Sequence, residues 1–273
     1  MKGNTLIVIF LVTMIFLLVG CSNNESTIQN NYEVGSKIEE NFQIRFKDLV
    51  ELKALEKYNN KTVSAVGYLS PIMGYDNSFG YLMNLPYQTC PYCLPNDTRI
   101  TNTIAIFMPE GKQIDYTEAA VVVTGTLKLE NYTDEYGYEY TYRIIDAKIE
   151  VADVELVGEK TAIYNKVADK NILGNIMDSL YAVDNNVFCK EYMMQGYQIT
   201  IEKIDSSAIE QTLADLEALN EPALETLRKV ANNLKLIIDS TNKLIDNNDL
   251  NSLANYQEKV DECFNAINNW MAE

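Results

Sequence analysis

The period of the hydrophobic pattern changes near Gly158, and this change limits the folds open to the chain. Before it, apolar and polar residues alternate. Val121, Val123, Leu127 and Leu129 are apolar with polar residues between the later ones, as in an antiparallel strand with one buried face. After it, apolar residues recur every three or four positions, as in helices that bury one stripe. The sequence therefore predicts an α+β protein, with a β-rich part followed by a helical part.

Five short strands are predicted in the first part, with Gly at bends, and this pattern favours a small closed antiparallel barrel. A short amphipathic helix, from about Phe46 to Tyr58, is expected to precede them. The expected strands are Thr62–Leu69, Gly80–Leu85, Thr103–Met108, Ala119–Glu130 and Tyr138–Val151.

Three or four helices are predicted after Gly158, packed as an antiparallel bundle. The first is expected from about Thr161 to Tyr192. A capping box at Ser207–Glu210 opens the next helix, Pro222 marks the first turn of another, and the last begins at Asp249.

The first twenty residues have the layout of a secretory signal. Lys2 supplies a positive charge, and residues 6–19 are apolar apart from one Thr, a stretch too short to favour a membrane-spanning helix. The sequence Leu-Val-Gly-Cys that ends at Cys21 resembles the lipobox of bacterial lipoproteins. This resemblance implies a signal peptide at 1–20, a lipid on Cys21 and a location on the extracytoplasmic face of the cell membrane. The alternative is an ordinary signal peptide or a short anchor with a chance Cys.

Residues 21–40 are rich in Asn, Ser and Glu without an apolar period, which predicts a lipid-anchored flexible tether. Further along, YNNKTVSAVGYLSP, CPYC, GKQIDYTEAAVVVTGTL and YGYEYTYRIIDAKIEV resemble an oligonucleotide/oligosaccharide-binding (OB) barrel of poorly characterised exported bacterial proteins. The resemblance implies an OB-like β-barrel domain with an N-terminal helix at 41–157. The helical bundle domain would then occupy 158–273.

Composition excludes several classes of function. The formal charge is −17, and it becomes −18 when Lys2 leaves with the signal peptide, so the surface repels nucleic acid. The chain contains no His, which excludes His-based catalytic triads and His metal ligands. Without a phosphate-binding glycine loop or a nucleophile elbow either, the sequence predicts neither an enzyme nor a cofactor.

Cys90 and Cys93 form a CxxC motif that has three interpretations. They could form a disulfide or an inert thiol pair, bind a soft metal such as zinc or copper, or exchange disulfides. Two thiolates leave zinc two ligands short, so Asp76, Asp97 or a partner protein would have to complete a metal site. Exchange chemistry favours a Cys at a helix N-terminus, whereas turn-forming residues follow Cys93.

Cys189 and Cys263 both lie in predicted helices. They could form a second disulfide or remain buried free thiols that behave as small hydrophobes.

A run of tyrosines at even-numbered positions is the candidate binding surface. Alternation places them on one face of a strand, where they could bind a ligand or instead pack against neighbouring strands. Its members are Tyr132, Tyr136, Tyr138, Tyr140 and Tyr142.

The leading functional hypothesis is therefore a non-enzymatic, membrane-anchored lipoprotein that binds an unknown protein or small ligand. A metal-handling lipoprotein and a thiol–disulfide exchange protein, both using Cys90 and Cys93, are the alternatives.

Overall fold

The computed structural model of the chain describes residues 43–49, 52–90, 103–134, 137, 139–196 and 200–273. These residues belong to one compact unit of mixed α and β structure, which confirms the α+β class. The predictions for the signal peptide, Cys21 and the whole of the tether lie outside the described residues, and so do those for Cys93, Tyr136 and Tyr138.

In the described residues, five strands form the sheet, in the spatial order β1-β2-β3-β5-β4. β1 pairs with both β2 and β4. Neighbours are antiparallel except β3 and β5, which are parallel. The strands are β1 (Thr62–Leu69), β2 (Phe79–Met83), β3 (Thr103–Phe107), β4 (Ala120–Thr133) and β5 (Glu139–Val151).

Alternate side chains of the strands fill one core, as the period of two requires. Val121, Val123 and Leu127 of β4 are fully buried there, which confirms the inward face predicted for this strand. The segment ahead of β1 contributes Ile44 and Phe46 to the same core. This segment is not one helix as predicted, because it divides into a 3₁₀ turn, the single-turn helix α1 (Leu52–Leu55) and a second 3₁₀ turn.

Two local features shape the sheet, namely a close approach of β1 to β2 and a β-bulge between β4 and β5. A Cβ at Gly67 of β1 would lie 2.4 Å from the carbonyl oxygen of Met83 in β2, so glycine permits the contact between these strands. In β5, Asp146 adopts a positive φ, and the register between β4 and β5 shifts opposite Gly125. This β-bulge directly follows Ile144-Ile145, where the sequence predicted one.

Among the described residues, five longer helices follow the strands, and each packs against the next. The helix predicted over residues 161–192 is wrong in one respect, because it is two helices separated at Asn171. Asn171 has a φ of 49°, a left-handed conformation that Asn tolerates and that ends a helix. The helices are α2 (Val154–Asp169), α3 (Ile172–Met194), α4 (Ser207–Leu219), α5 (Glu225–Asp246) and α6 (Gln257–Ala272).

A second core joins the sheet to these helices. Tyr68, Met83 and Val122 on the outer side of the strands pack in one cluster with apolar residues of α2 to α6. Trp270 of α6 lies in this cluster, with its ring at 5.9 Å from that of Tyr164 and its Nε1 donating to the carbonyl of Ala223. Among the residues that the structure describes, no helix combines the length and apolar character needed to cross a membrane.

Candidate functional site

The predicted tyrosine surface divides into parts that do not share one environment. Tyr132 and Tyr140 are paired across β4 and β5 and contact Phe107 of β3 edge to face. Tyr142 instead packs against the inner core of the sheet, and its hydroxyl donates to the carbonyl of Thr103. Burial raises the pKa of Tyr142 to about 12. Tyr142 and Tyr140 therefore lie in different environments, although both have even numbers.

The register shift between Leu129 and Tyr132 accompanies this difference. Leu129 pairs with Tyr142, and Tyr132 pairs with Tyr140, so two residues of β4 oppose one of β5. Such a bulge bends and twists the hairpin, and sequence parity no longer tells which side a residue faces.

Tyr140 is itself buried. Its hydroxyl donates to a carboxylate oxygen of Asp134 at 2.9 Å and lies near the hydroxyl of Tyr81. Burial and these two hydrogen bonds raise its pKa far above the usual range. Of the predicted surface tyrosines that the structure describes, Tyr132 is the one with substantial exposure, at 37%.

Arg143 fixes the ring of Tyr132. The guanidinium carbon lies 3.7 Å from the centroid of that ring, and Nη2 donates to Glu130 at 3.0 Å. The side chain is 10% exposed, and its Nη1 has no hydrogen-bond partner among the residues that the structure describes. The cation–π contact and the ion pair therefore hold β5 against β4 in the outer part of their hairpin.

Cys90 is fully buried and forms a disulfide, and its partner lies outside the described residues. Asp76, considered as a possible metal ligand, accepts the backbone N–H of Ser78 at 3.0 Å in a local turn. In the part of the chain that the structure describes, no three Cys, Asp or Glu side chains are grouped to hold a metal ion.

Cys189 and Cys263 are free thiols, so the disulfide considered between them is not formed in this structure. Cys263 is 3% exposed in the helical core, and burial raises its pKa to about 11. Cys189 is half-buried.

We expect iodoacetamide at pH 8 to alkylate Cys189 much faster than Cys263 in the folded protein. The reagent attacks the thiolate, and burial both blocks Cys263 and keeps it protonated. Peptide mass spectrometry over a time course measures the two rates, and the same reaction in urea is the control in which both thiols should react. Equal rates in the folded protein would contradict the buried position of Cys263.

A cleft of about 680 Å³ lies beside the sheet, at a place that the sequence did not indicate. Its walls come from five separate stretches, namely residues 43–46, residues 66–68, Asn84, the start of α2, and residues 272–273. The entry segment is held to β1 by a hydrogen bond of 2.9 Å from the N–H of Ile44 to the carbonyl of Ser64. The side chain of Asp153 caps α2 by accepting the N–H of Glu155, and this cap fixes where the helical wall begins.

The lining of the cleft combines apolar and charged side chains. Ile44, Phe46, Val66, Leu156 and Val157 supply the apolar contribution. Polar groups also line it, and Asn84 and Lys160 meet on its wall, with Lys160 Nζ at 3.4 Å from Asn84 Oδ1. The charged lining residues are Arg45, Asp153, Glu155, Lys160 and Glu273.

Lys160 is an ammonium in a half-buried position. Burial lowers its pKa, and the negative charge of Glu273 partly opposes that effect. Nζ also lies 5.6 Å from the centre of the Tyr164 ring. A concave, mostly apolar site with a few convergent polar groups is typical of small-molecule binding. The sequence did not predict this cleft, because its walls include residues as far apart as 43 and 273, and no sequence pattern links them.

No known protein family and no curated protein sequence matches the chain. Among solved structures, the chain is similar to a DUF3299 family protein from Pseudomonas aeruginosa, with 20% identity and a TM-score of 0.27. The similarity covers 36% of this chain and spans 65% of the length of that protein.

Proposed function

We propose that this chain is an exported, lipid-anchored protein whose folded part is a non-enzymatic binding module for a small ligand. The observation that carries the proposal is the cleft between β1 and α2, where Asn84 and Lys160 meet on a wall that combines apolar and charged side chains. Its volume of about 680 Å³ lies within the range of sites that enclose small molecules. The cysteine and signal-like segment ending at Cys21 support attachment to the outer face of the cell membrane.

The folded part combines an OB-type barrel with a helical bundle in this proposal. Support for the barrel comes from the closed order of five strands and from the sequence segments that resemble such barrels. Support for the bundle comes from the packing of consecutive helices α3 to α6 around shared apolar residues. The exposed Tyr132 stays a candidate contact for a protein partner.

The two alternative functions require Cys90 to change state. Cys90 is in a disulfide and has no exposed surface. Metal binding needs a thiolate, and disulfide exchange needs access for an attacking thiol. Both functions would therefore need the disulfide to be reduced or exposed first, whereas the cleft is open in the structure as it stands.

The test is native mass spectrometry of the full chain, purified in mild detergent from the cells that make it. We expect a bound small molecule as a mass adduct. Leu156→Trp should reduce the adduct at least tenfold, because Leu156 lines the cleft and is 59% exposed, so a larger ring can enter without disturbing the core.

Val154→Trp is the matched control. Val154 lies in the same turn of α2 and is 76% exposed, yet it does not line the cleft. It should keep the adduct. A protein without any adduct, or equal loss in the two variants, would contradict the proposal.

A further inference from the structure

The side chain of Asn84 has a buried donor that no group of the described residues satisfies. Asn84 is 6% exposed, and its Nδ2 has no hydrogen-bond partner in that part of the chain. Its Oδ1 accepts a hydrogen bond from Lys160 Nζ, and this bond sets which end of the amide is the donor. A buried donor without an acceptor is costly, so its presence on the wall of a cleft points to an acceptor supplied by a ligand.

Lys160 offers further donors at the same place. An ammonium has three N–H groups. Among the described residues, Lys160 makes one hydrogen bond, which it donates to Asn84. No carboxylate of the described residues forms an ion pair with it. The cation and the amide donor therefore lie side by side without a counter-anion in contact.

The charges around the pair limit which anion fits. Asp153, Glu155 and Glu273 also line the cleft, so a doubly charged phosphate meets more repulsion there than a singly charged group. A carboxylate has two acceptor oxygens and one negative charge, which match one ammonium and one amide donor. The apolar side chains of Ile44, Val66 and their neighbours then suit an apolar body on the ligand.

We infer that Asn84 and Lys160 form the receptor for the carboxylate of a small monocarboxylate whose apolar body lies in the cleft. This inference rests on the proposed function, because it names the class of ligand that the cleft binds.

The probe is 4-fluorobenzoate, followed by ¹⁹F line broadening on the full chain in lipid nanodiscs, with empty nanodiscs as the blank. We expect saturable binding that unlabelled benzoate displaces. Phenyl phosphate should displace it at least tenfold more weakly, and 4-fluorobenzyl alcohol, which lacks the charge, should not bind measurably.

The variants separate the receptor from the cleft. Lys160→Met keeps an unbranched side chain, shorter by one heavy atom, but removes the charge, and it should weaken binding of the probe at least tenfold. Asn84→Leu should also weaken binding while leaving the thermal stability of the protein unchanged or higher, since it removes the unsatisfied donor. Lys166→Met, on the same helix but ion-paired with Glu221 outside the cleft, should change binding less than twofold.

Each failure has its own signature. Equal binding of the acid and the alcohol, lost in Leu156→Trp but kept in Lys160→Met, would overturn the carboxylate receptor and leave the binding cleft intact. No binding of either probe, with an adduct still found on the protein from its own cells, would also overturn the inference alone. Loss of probe binding in Leu156→Trp and Val154→Trp alike would overturn both proposals.

Discussion

Trp270→Ala is expected to lower the free energy of unfolding by about 4 kcal/mol. Trp270 is 6% exposed, contacts the ring of Tyr164, and donates a hydrogen bond of 2.8 Å to the carbonyl of Ala223. Alanine would leave a cavity in the core shared by sheet and helices and an unpaired carbonyl. Urea unfolding followed by circular dichroism measures the change, since the variant loses the one Trp of the chain.

Two further variants serve as comparisons for the loss of stability in Trp270→Ala. Trp270→Phe keeps most of the volume and loses the hydrogen bond, so it should cost about 1 kcal/mol. Leu236→Ala, at a position that is 65% exposed, should change stability by less than about 0.5 kcal/mol. A loss from Trp270→Ala as small as that from Leu236→Ala would contradict the buried position of the indole.

Gly67→Ala is expected to lower the free energy of unfolding by about 3 kcal/mol, at the upper end for overpacking. The new Cβ would lie 2.4 Å from the carbonyl oxygen of Met83, so β1 and β2 must separate. Urea unfolding followed by the fluorescence of Trp270 measures the change. Gly80→Ala is the matched control in the neighbouring strand, because its Cβ would meet the movable end of the Ile114 side chain at 2.9 Å.

The difference between the two glycines is the decisive result. Gly80→Ala should cost clearly less, since a side chain can rotate away and a paired backbone carbonyl cannot. Equal losses at both positions would show that the approach of β1 to β2 does not depend on Gly67.

The strands could be predicted well where a strict alternation and a turn defined them. β1 has the predicted bounds, and the β4–β5 pair differs from the prediction only at its ends. In these segments one face is buried along most of the length, so each apolar residue indicates which side of the sheet it faces.

The tyrosines and the first long helix could not be predicted in the same way. Tyr140 and Tyr142 both have even numbers, yet they lie in different environments beside a bulge in β4. The spacing of residues in the sequence does not reveal that bulge. The break at Asn171 also lacks Gly or Pro, and Asn occurs inside helices elsewhere in this chain. At both places the spacing of residues in the sequence does not specify the local conformation.

The cleft lay beyond sequence reasoning for a different reason. Asn84 follows β2 and Lys160 lies in α2, and each is unremarkable by itself. They form a candidate site because the fold brings Lys160 Nζ to 3.4 Å from Asn84 Oδ1, although the two residues are 76 positions apart in the chain. A periodic pattern reports which side of an element is buried, but it does not report which elements meet.

The core that joins the sheet to the helices has a consequence for how the protein unfolds. Residues such as Tyr68, Met83 and Val122 belong to strands, yet their apolar surface is covered by helices. If the helices opened first, that surface would meet water, and the hydrophobic effect makes such a half-open state unfavourable. We therefore expect the segments before and after residue 158, although their sequence patterns differ, to melt together in a single cooperative transition.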